Sequence, residues 1–231
     1  MRIRTLVGAA LAAALVVAVP ASAEPKDVTK WPYAATRGGK VLGRLDVAFA
    51  KRDGQVYLVT GFYPGQAAVK DRKGGKPATR SYAELDPEGM LGKYKRWEVK
   101  GKGYLYWMAF LFDGKVKVRH ERGVGDKGKV KDVGEAGKVR PLDHGQPQLA
   151  WLLTGAGKPA EIDCVGVNPG AFGKARVEKG GEEPVELTGG GKASLQRWEV
   201  GGDCGEYLVW TDGKGEPVVM ETGGVRYERL R

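Results

Sequence analysis

The sequence predicts a mainly β protein: an antiparallel barrel or a strongly curved open sheet with one short helix. Three observations predict it. Short runs alternate apolar with polar residues or concentrate β-branched and aromatic ones. The 37 glycines punctuate these runs without a fixed period, which excludes a collagen-like chain. Finally, many strands follow one another without helical crossovers, so they must pair antiparallel.

The chain opens on a segment that is not part of this pattern. Arg2 and Arg4 precede an unbroken run of apolar and small residues from Leu6 to Val19. Pro20 ends the run, and Ala21-Ser22-Ala23 supplies the small-x-small sequence that a signal peptidase accepts. The run is shorter than the roughly 20 residues a permanent membrane helix needs. Residues 1–23 therefore read as a signal peptide, and residues 24–231 as a single β-barrel-like domain without a transmembrane segment. No cysteine stands at the cleavage point, so a lipid-anchored start is disfavoured. The expected location is the periplasm or the extracellular space.

Val41 to Ala50 alternates, Asp53-Gly54 permits the positive φ angles of a tight hairpin, and Gln55 to Phe62 returns as the next strand. The clearest meander runs from Tyr94 to Arg122. Its strands are Tyr94–Val99, Tyr104–Phe112 and Lys115–Arg119, divided by Gly101-Lys102-Gly103 and Asp113-Gly114. The last of the three puts valines on one face and basic residues on the other. A two-turn helix is expected over Gln146–Leu153, with Pro147 at its first position. Asp143 to Gly157 either divides two halves or carries a lid or plug. Further strands are expected at Glu161–Val167, Lys174–Lys179, Val185–Leu187, Ala193–Val200, Glu206–Trp210, Pro217–Glu221 and Val225–Leu230. The total is about ten to twelve strands.

Chemistry-bearing residues are sparse. Cys164 and Cys204 are the only cysteines, and in an oxidising compartment such a pair is a disulfide candidate. Two cysteines and two histidines at scattered positions do not make a metal site. A triad around His120 or His144 would need a nucleophile. The candidate serines of the mature chain, Ser81 and Ser194, lie outside any Gly-x-Ser-x-Gly elbow. Acid pairs such as Glu84 with Asp86, or Glu98 with Glu199, look like ordinary surface carboxylates. No phosphate-binding loop occurs, and no cofactor is expected. Losing Arg2 and Arg4 with residues 1–23 lowers the net charge from +10 to +8. That charge suits an anionic envelope component as partner; nucleic acid is not expected outside the cytoplasm.

The aromatic strand is the main candidate for a binding site. Tyr104, Tyr106, Phe110 and Phe112 share one parity, while Leu105, Trp107 and Leu111 share the other. One face of an antiparallel sheet usually meets water, so a strand that is apolar on both faces calls for a second covering. Tyr104, Tyr106, Trp107, Phe110 and Phe112 are accordingly the candidate residues for an apolar or lipid-like ligand. The segment from Tyr82 to Arg96 is a candidate rim.

The order of several segments adds a resemblance. Gly39-Lys40-Val41-Leu42-Gly43 opens a strand, and Ala83-Glu84-Leu85-Asp86-Pro87-Glu88-Gly89-Met90 precedes another. Phe112-Asp113-Gly114-Lys115-Val116, the Leu149–Leu153 helix, Leu208-Val209-Trp210-Thr211-Asp212 and Tyr227-Glu228-Arg229-Leu230 follow. Together they resemble exported, lipocalin-like open-barrel families of unknown function from bacteria with an outer membrane. More remotely, the chain is similar to periplasmic lipoprotein carriers, whose curved sheet holds acyl chains under a helical lid; it has one helix where they have several. The resemblance implies a fold and a compartment, and no catalytic residue. The expected function is a non-catalytic exported envelope protein binding an apolar ligand. An assembly factor docking another envelope protein, or an envelope hydrolase, are the alternatives. Intact-mass measurement of the exported protein should give a chain starting at Glu24; a chain retaining Met1 to Ala23 contradicts the signal peptide.

Overall fold

The computed structural model describes residues 28–70, 76–101, 103–123, 128–135, 139–154, 160–166, 172–188 and 190–230. The expected signal peptide, residues 1–23, lies outside the described residues. In chain order the first elements are β1 (Val28–Arg37), β2 (Lys40–Arg52), β3 (Gln55–Pro64), α1 (Gln66–Lys70), β4 (Thr79–Leu85) and β5 (Leu91–Lys100). Next come β6 (Gly103–Phe112), β7 (Lys115–Arg122), β8 (Lys129–Glu135), β9 (Val139–Leu142), α2 (Gln148–Thr154) and β10 (Ala160–Gly166). The last are β11 (Phe172–Glu186), β12 (Lys192–Gly202), β13 (Tyr207–Thr211), β14 (Pro217–Thr222) and β15 (Val225–Arg229).

All fifteen strands form one sheet, nearly closed into a barrel, in the order β8-β7-β6-β5-β4-β3-β2-β1-β15-β14-β13-β12-β11-β10-β9. It consists of two meanders sewn together by their outermost members in sequence, since β1 pairs antiparallel with β15. Every neighbouring pair is antiparallel except β9 with β10. A parallel pair needs a crossover, and the segment carrying α2 supplies it. The mainly β architecture with a short helix follows the expectation. The strand number is larger than expected, because β1, β4, β8 and β9 add to the count while the two strands expected at Lys174–Lys179 and Val185–Leu187 are one.

Local chemistry explains the hairpins. Asp53 and Gly54 have φ of 51° and 76°, and Asp113 and Gly114 have 52° and 69°. These are the left-handed values a two-residue hairpin turn requires, which Asp-Gly supplies at low steric cost. Pro32 conceals β1 in the sequence, since proline is normally excluded from an interior strand. It is tolerated because it sits where the β15 ladder ends. Its carbonyl accepts the Leu230 amide at 2.7 Å, and the register to β15 begins only at Tyr33. β11 stays continuous through Gly180-Gly181, where its register against β12 shifts.

The sheet curls until its two ends come near each other. Phe172, at the start of β11, packs on Gly134 of β8 so closely that a Cβ at Gly134 has no room. β9 lies against β5. Inside, one contiguous apolar core runs from Trp31 and Tyr33 through Leu58, Tyr94 and Trp107 to Val200, Val209 and Met220. The helix closes that core: Leu149 and Ala150 are buried in it. A smaller cluster of Val185, Leu195, Trp210 and Val219 packs separately.

Cys164 in β10 and Cys204 after β12 are disulfide-bonded across 40 residues of chain. A loop of that length corresponds to about 4 kcal/mol of entropic stabilisation in the chain model. The double variant Cys164→Ala/Cys204→Ala should lose roughly 2–4 kcal/mol in urea unfolding; an unchanged midpoint means that the bridge does not constrain the unfolded chain.

Candidate functional site

The register divides the β6 aromatics between two faces. Trp107 stands in the row Thr60–Ser81–Arg96–Trp107–His120, which points inward. It is buried, and its ring stacks on His120 at 5.2 Å. Tyr104, Tyr106, Phe110 and Phe112 point outward, with Phe112 61% exposed. The five candidate ligand residues are therefore not brought together. Trp107 belongs to the core, and the other four form part of an external aromatic row in which Tyr106 meets Trp97 at 5.4 Å.

The interior instead contains a buried charge. Asp143, in the loop between β9 and α2, is fully enclosed, and its Oδ1 accepts a hydrogen bond from Arg96 Nη1 at 2.6 Å. The Gly145 amide donates to the same oxygen at 2.7 Å, and the Tyr94 hydroxyl donates to Oδ2. The Arg96 guanidinium lies 5.2 Å from the Trp107 ring, and Glu98 approaches it at 3.5 Å. Arg96 also packs directly on Gly145, where a side chain would collide with it. Burial pushes the Tyr94 hydroxyl well above its ordinary pKa, and the Asp143 charge adds to this. Burial alone would lower the Arg96 pKa, but Asp143 and Tyr94 outweigh it and hold Arg96 raised. Tyr227 is pushed up to about 12, first by burial, with Arg96 opposing and Asp143 reinforcing.

The neighbouring polar groups are braces. Gln146 Nε2 donates to Thr60 Oγ1 at 2.6 Å, and Thr60 bonds Ser81 at 2.6 Å, so Ser81 is part of an interior network. His144 Nδ1 lies 2.6 Å from Thr222 Oγ1, whose proton goes to the Glu206 carbonyl at 2.8 Å. Nδ1 is therefore the donor to Thr222, and the ring stacks on Tyr207 at 5.3 Å. His120 and His144 serve different clusters: His120 stacks on Trp107, whereas His144 meets Tyr207 and Thr222. Among the described residues no three His, Cys, Asp or Glu side chains stand together as a metal site.

Above the braces α2 forms one wall of a cleft at the end of the barrel. Trp151 meets Trp31 edge-on at 5.1 Å and Phe49 at 5.4 Å, and its Nε1 donates to the Gly215 carbonyl at 2.8 Å. The cleft has a volume of about 590 Å³. Val56, Leu85, Ile162, Val177 and Trp198 form its apolar depth, and Leu152 of α2 faces them. Lys51, Arg140 and Lys214 stand at its rim with Glu88. Arg140 is anchored on the Glu88 carbonyl at 3.0 Å, while among the described residues neither Lys51 nor Lys214 has an ion-pair partner. A ligand-sized apolar space with a few polar groups at its edge is the usual form of a small-molecule site.

Sequence reasoning missed this cleft. Its lining comes from eight strands, α2 and two turns, and no local pattern marks such convergence. The helix was the available signal, because a two-turn helix persists only when packed. No family model, curated protein or solved structure matches the chain.

The buried pair yields a contrast. Asp143→Ala removes the buried partner of Arg96, leaving it only the longer contact to Glu98 at 3.5 Å, and should cost about 3–5 kcal/mol in urea unfolding. Arg96→Met with Asp143→Leu removes both charges and should cost much less, since a well-packed apolar replacement of a buried pair is often near neutral. Equal losses for the two proteins would show that the pair does not act as a charge pair.

Proposed function

We propose that this chain is a non-catalytic exported protein of the cell envelope that binds an apolar or lipid-like ligand in the cleft beside α2. The observation that carries the reading is the cleft of about 590 Å³, apolar in depth and cationic at the rim. Its volume is within the range of about 300–1,000 Å³ typical of small-molecule sites. Supporting it are the leader-like residues 1–23, the disulfide and the resemblance to lipocalin-like open barrels. The wall beside the cleft is well placed to yield, because α2 has only seven residues and depends on tertiary contacts.

The alternative, an assembly factor that docks a partner strand, would use the edge of β8. That strand carries Lys129, Lys131 and Asp132, all exposed. Charges on an edge strand are a device against strand addition, so the edge supports this alternative less than the cleft supports a ligand.

Native mass spectrometry of mildly purified protein should show lipid adducts, and the protein should bind a fluorescent fatty-acid probe. Leu152→Asp places a carboxylate against the apolar wall and should weaken the probe about tenfold, equivalent to about 1.4 kcal/mol. A protein that carries no adduct and binds no probe overturns the proposal.

A further inference from the structure

A second concavity lies on the outer face of the sheet, on the strands β1 to β5, away from the cleft. Its volume is about 460 Å³. The register explains its shape. One outward row crosses the strands as Pro32–Asp46–Gly61–Arg80–Trp97. The adjacent outward row is Lys30–Ala48–Val59–Tyr82–Lys95. Gly61 and Ala48 are the small residues in the middle of the two rows, so the floor is low there. Tyr63 folds over Gly61, its ring 3.3 Å from where a Cβ would stand. Tyr82 and Trp97 rise on the other side, Trp97 38% exposed. The result is a trough with aromatic flanks.

The charges in this trough are unbalanced. Asp46 is taken up by Arg44, with Nε–Oδ1 at 2.6 Å and Nη2–Oδ2 at 3.0 Å. Arg44 Nη1 is buried in the trough wall without a hydrogen-bond partner among the described residues. Arg80 and Lys30 are exposed and have no ion-pair partner among the described residues. Lys95, next in the row to Tyr82, has its pKa lowered, first by partial burial and then by the neighbouring Lys93. An anion in the trough would pair the exposed charges of Arg80 and Lys30.

We propose that this trough binds an acidic polysaccharide segment, its sugar rings stacked on Trp97, Tyr82 and Tyr63 and its carboxylates held by Arg80 and Lys30. Partly exposed aromatic rings on the two flanks of the trough suit the apolar faces of pyranose rings. Guanidinium groups suit planar carboxylates. Strands lie about 4.8 Å apart, close to the length of one pyranose unit, so successive sugars meet successive strands. The Cys164–Cys204 disulfide favours an oxidising compartment, where acidic glycans rather than nucleic acids are the resident polyanions.

The test uses the full mature chain and a tetramer of galacturonic acid, with a neutral galactose tetramer as control. Titration followed by tryptophan fluorescence and calorimetry should show binding of the acidic tetramer that weakens with salt. The neutral tetramer should bind at least about tenfold more weakly, as expected when charge-assisted bonds are lost. Arg80→Gln alters an exposed side chain and should weaken binding about tenfold with an unchanged melting temperature; Trp97→Ala, which also removes the ring contact with Tyr106, should weaken it about tenfold while the protein stays folded. Leu152→Asp in the cleft should leave it unchanged, which separates this site from the lipid-like ligand. Equal binding of the neutral tetramer, no binding of the acidic one, insensitivity to Arg80→Gln, or tighter binding of a thymidine oligonucleotide or of anionic vesicles overturns the proposal.

Discussion

The closed shape of this protein hinges on one buried carboxylate. Asp143 is enclosed by Arg96, Tyr94 and the Gly145 amide. Arg96 and Tyr94 belong to the first meander, whereas Asp143 belongs to the segment that starts the second. A charge in a low-dielectric interior is tolerated only with its partners in place. The strip of strands therefore cannot uncurl at this point without exposing an apolar core or stranding a charge. Every neighbouring feature adapts to the pair: Gly145 yields space to Arg96, Trp107 lies under the guanidinium, and Glu98 approaches from β5.

This constraint also sets the candidate site. The chain leaves Asp143 and within five residues enters α2, so fixing Asp143 fixes where the helix begins. Gln146 adds a second tether to Thr60 on the facing strand. The helix then closes the core with Leu149 and Ala150 and turns Trp151 against Trp31 and Phe49. The cleft lies beside it, with Trp151 to Thr154 of α2 forming one wall. The interior is thus partly filled core and partly ligand-sized space. The outer trough has a different origin: two small residues, Gly61 and Ala48, share a row position with large aromatic neighbours.

Much of the fold was legible because strand and turn chemistry is local. Asp53-Gly54 and Asp113-Gly114 form the turns their residue types require, and the valines of β7 face inward as their alternation indicates. β1 was concealed by Pro32, and β8 by its run of exposed charges. β11 looked like two strands because Gly180-Gly181 interrupts its pattern. The site was less legible. The strand carrying Tyr104, Tyr106, Trp107, Phe110 and Phe112 reads as apolar on both faces, and the fold buries Trp107 while leaving Phe112 exposed. Period-two alternation tells which residues share a face, but not what covers it.

By itself, then, the sequence determined the β architecture, its hairpins, the short helix and the cysteine pair, since each depends on backbone preferences or on a unique pairing. Tertiary structure decided the pairing of β1 with β15, the burial of Asp143 against Arg96, and the convergence of Lys51, Arg140 and Lys214 on one cleft. Those contacts join residues from 47 to 196 positions apart across the curled sheet. Their energy comes from burial and from satisfying charge in a dry interior, and neither exists until the chain has closed on itself.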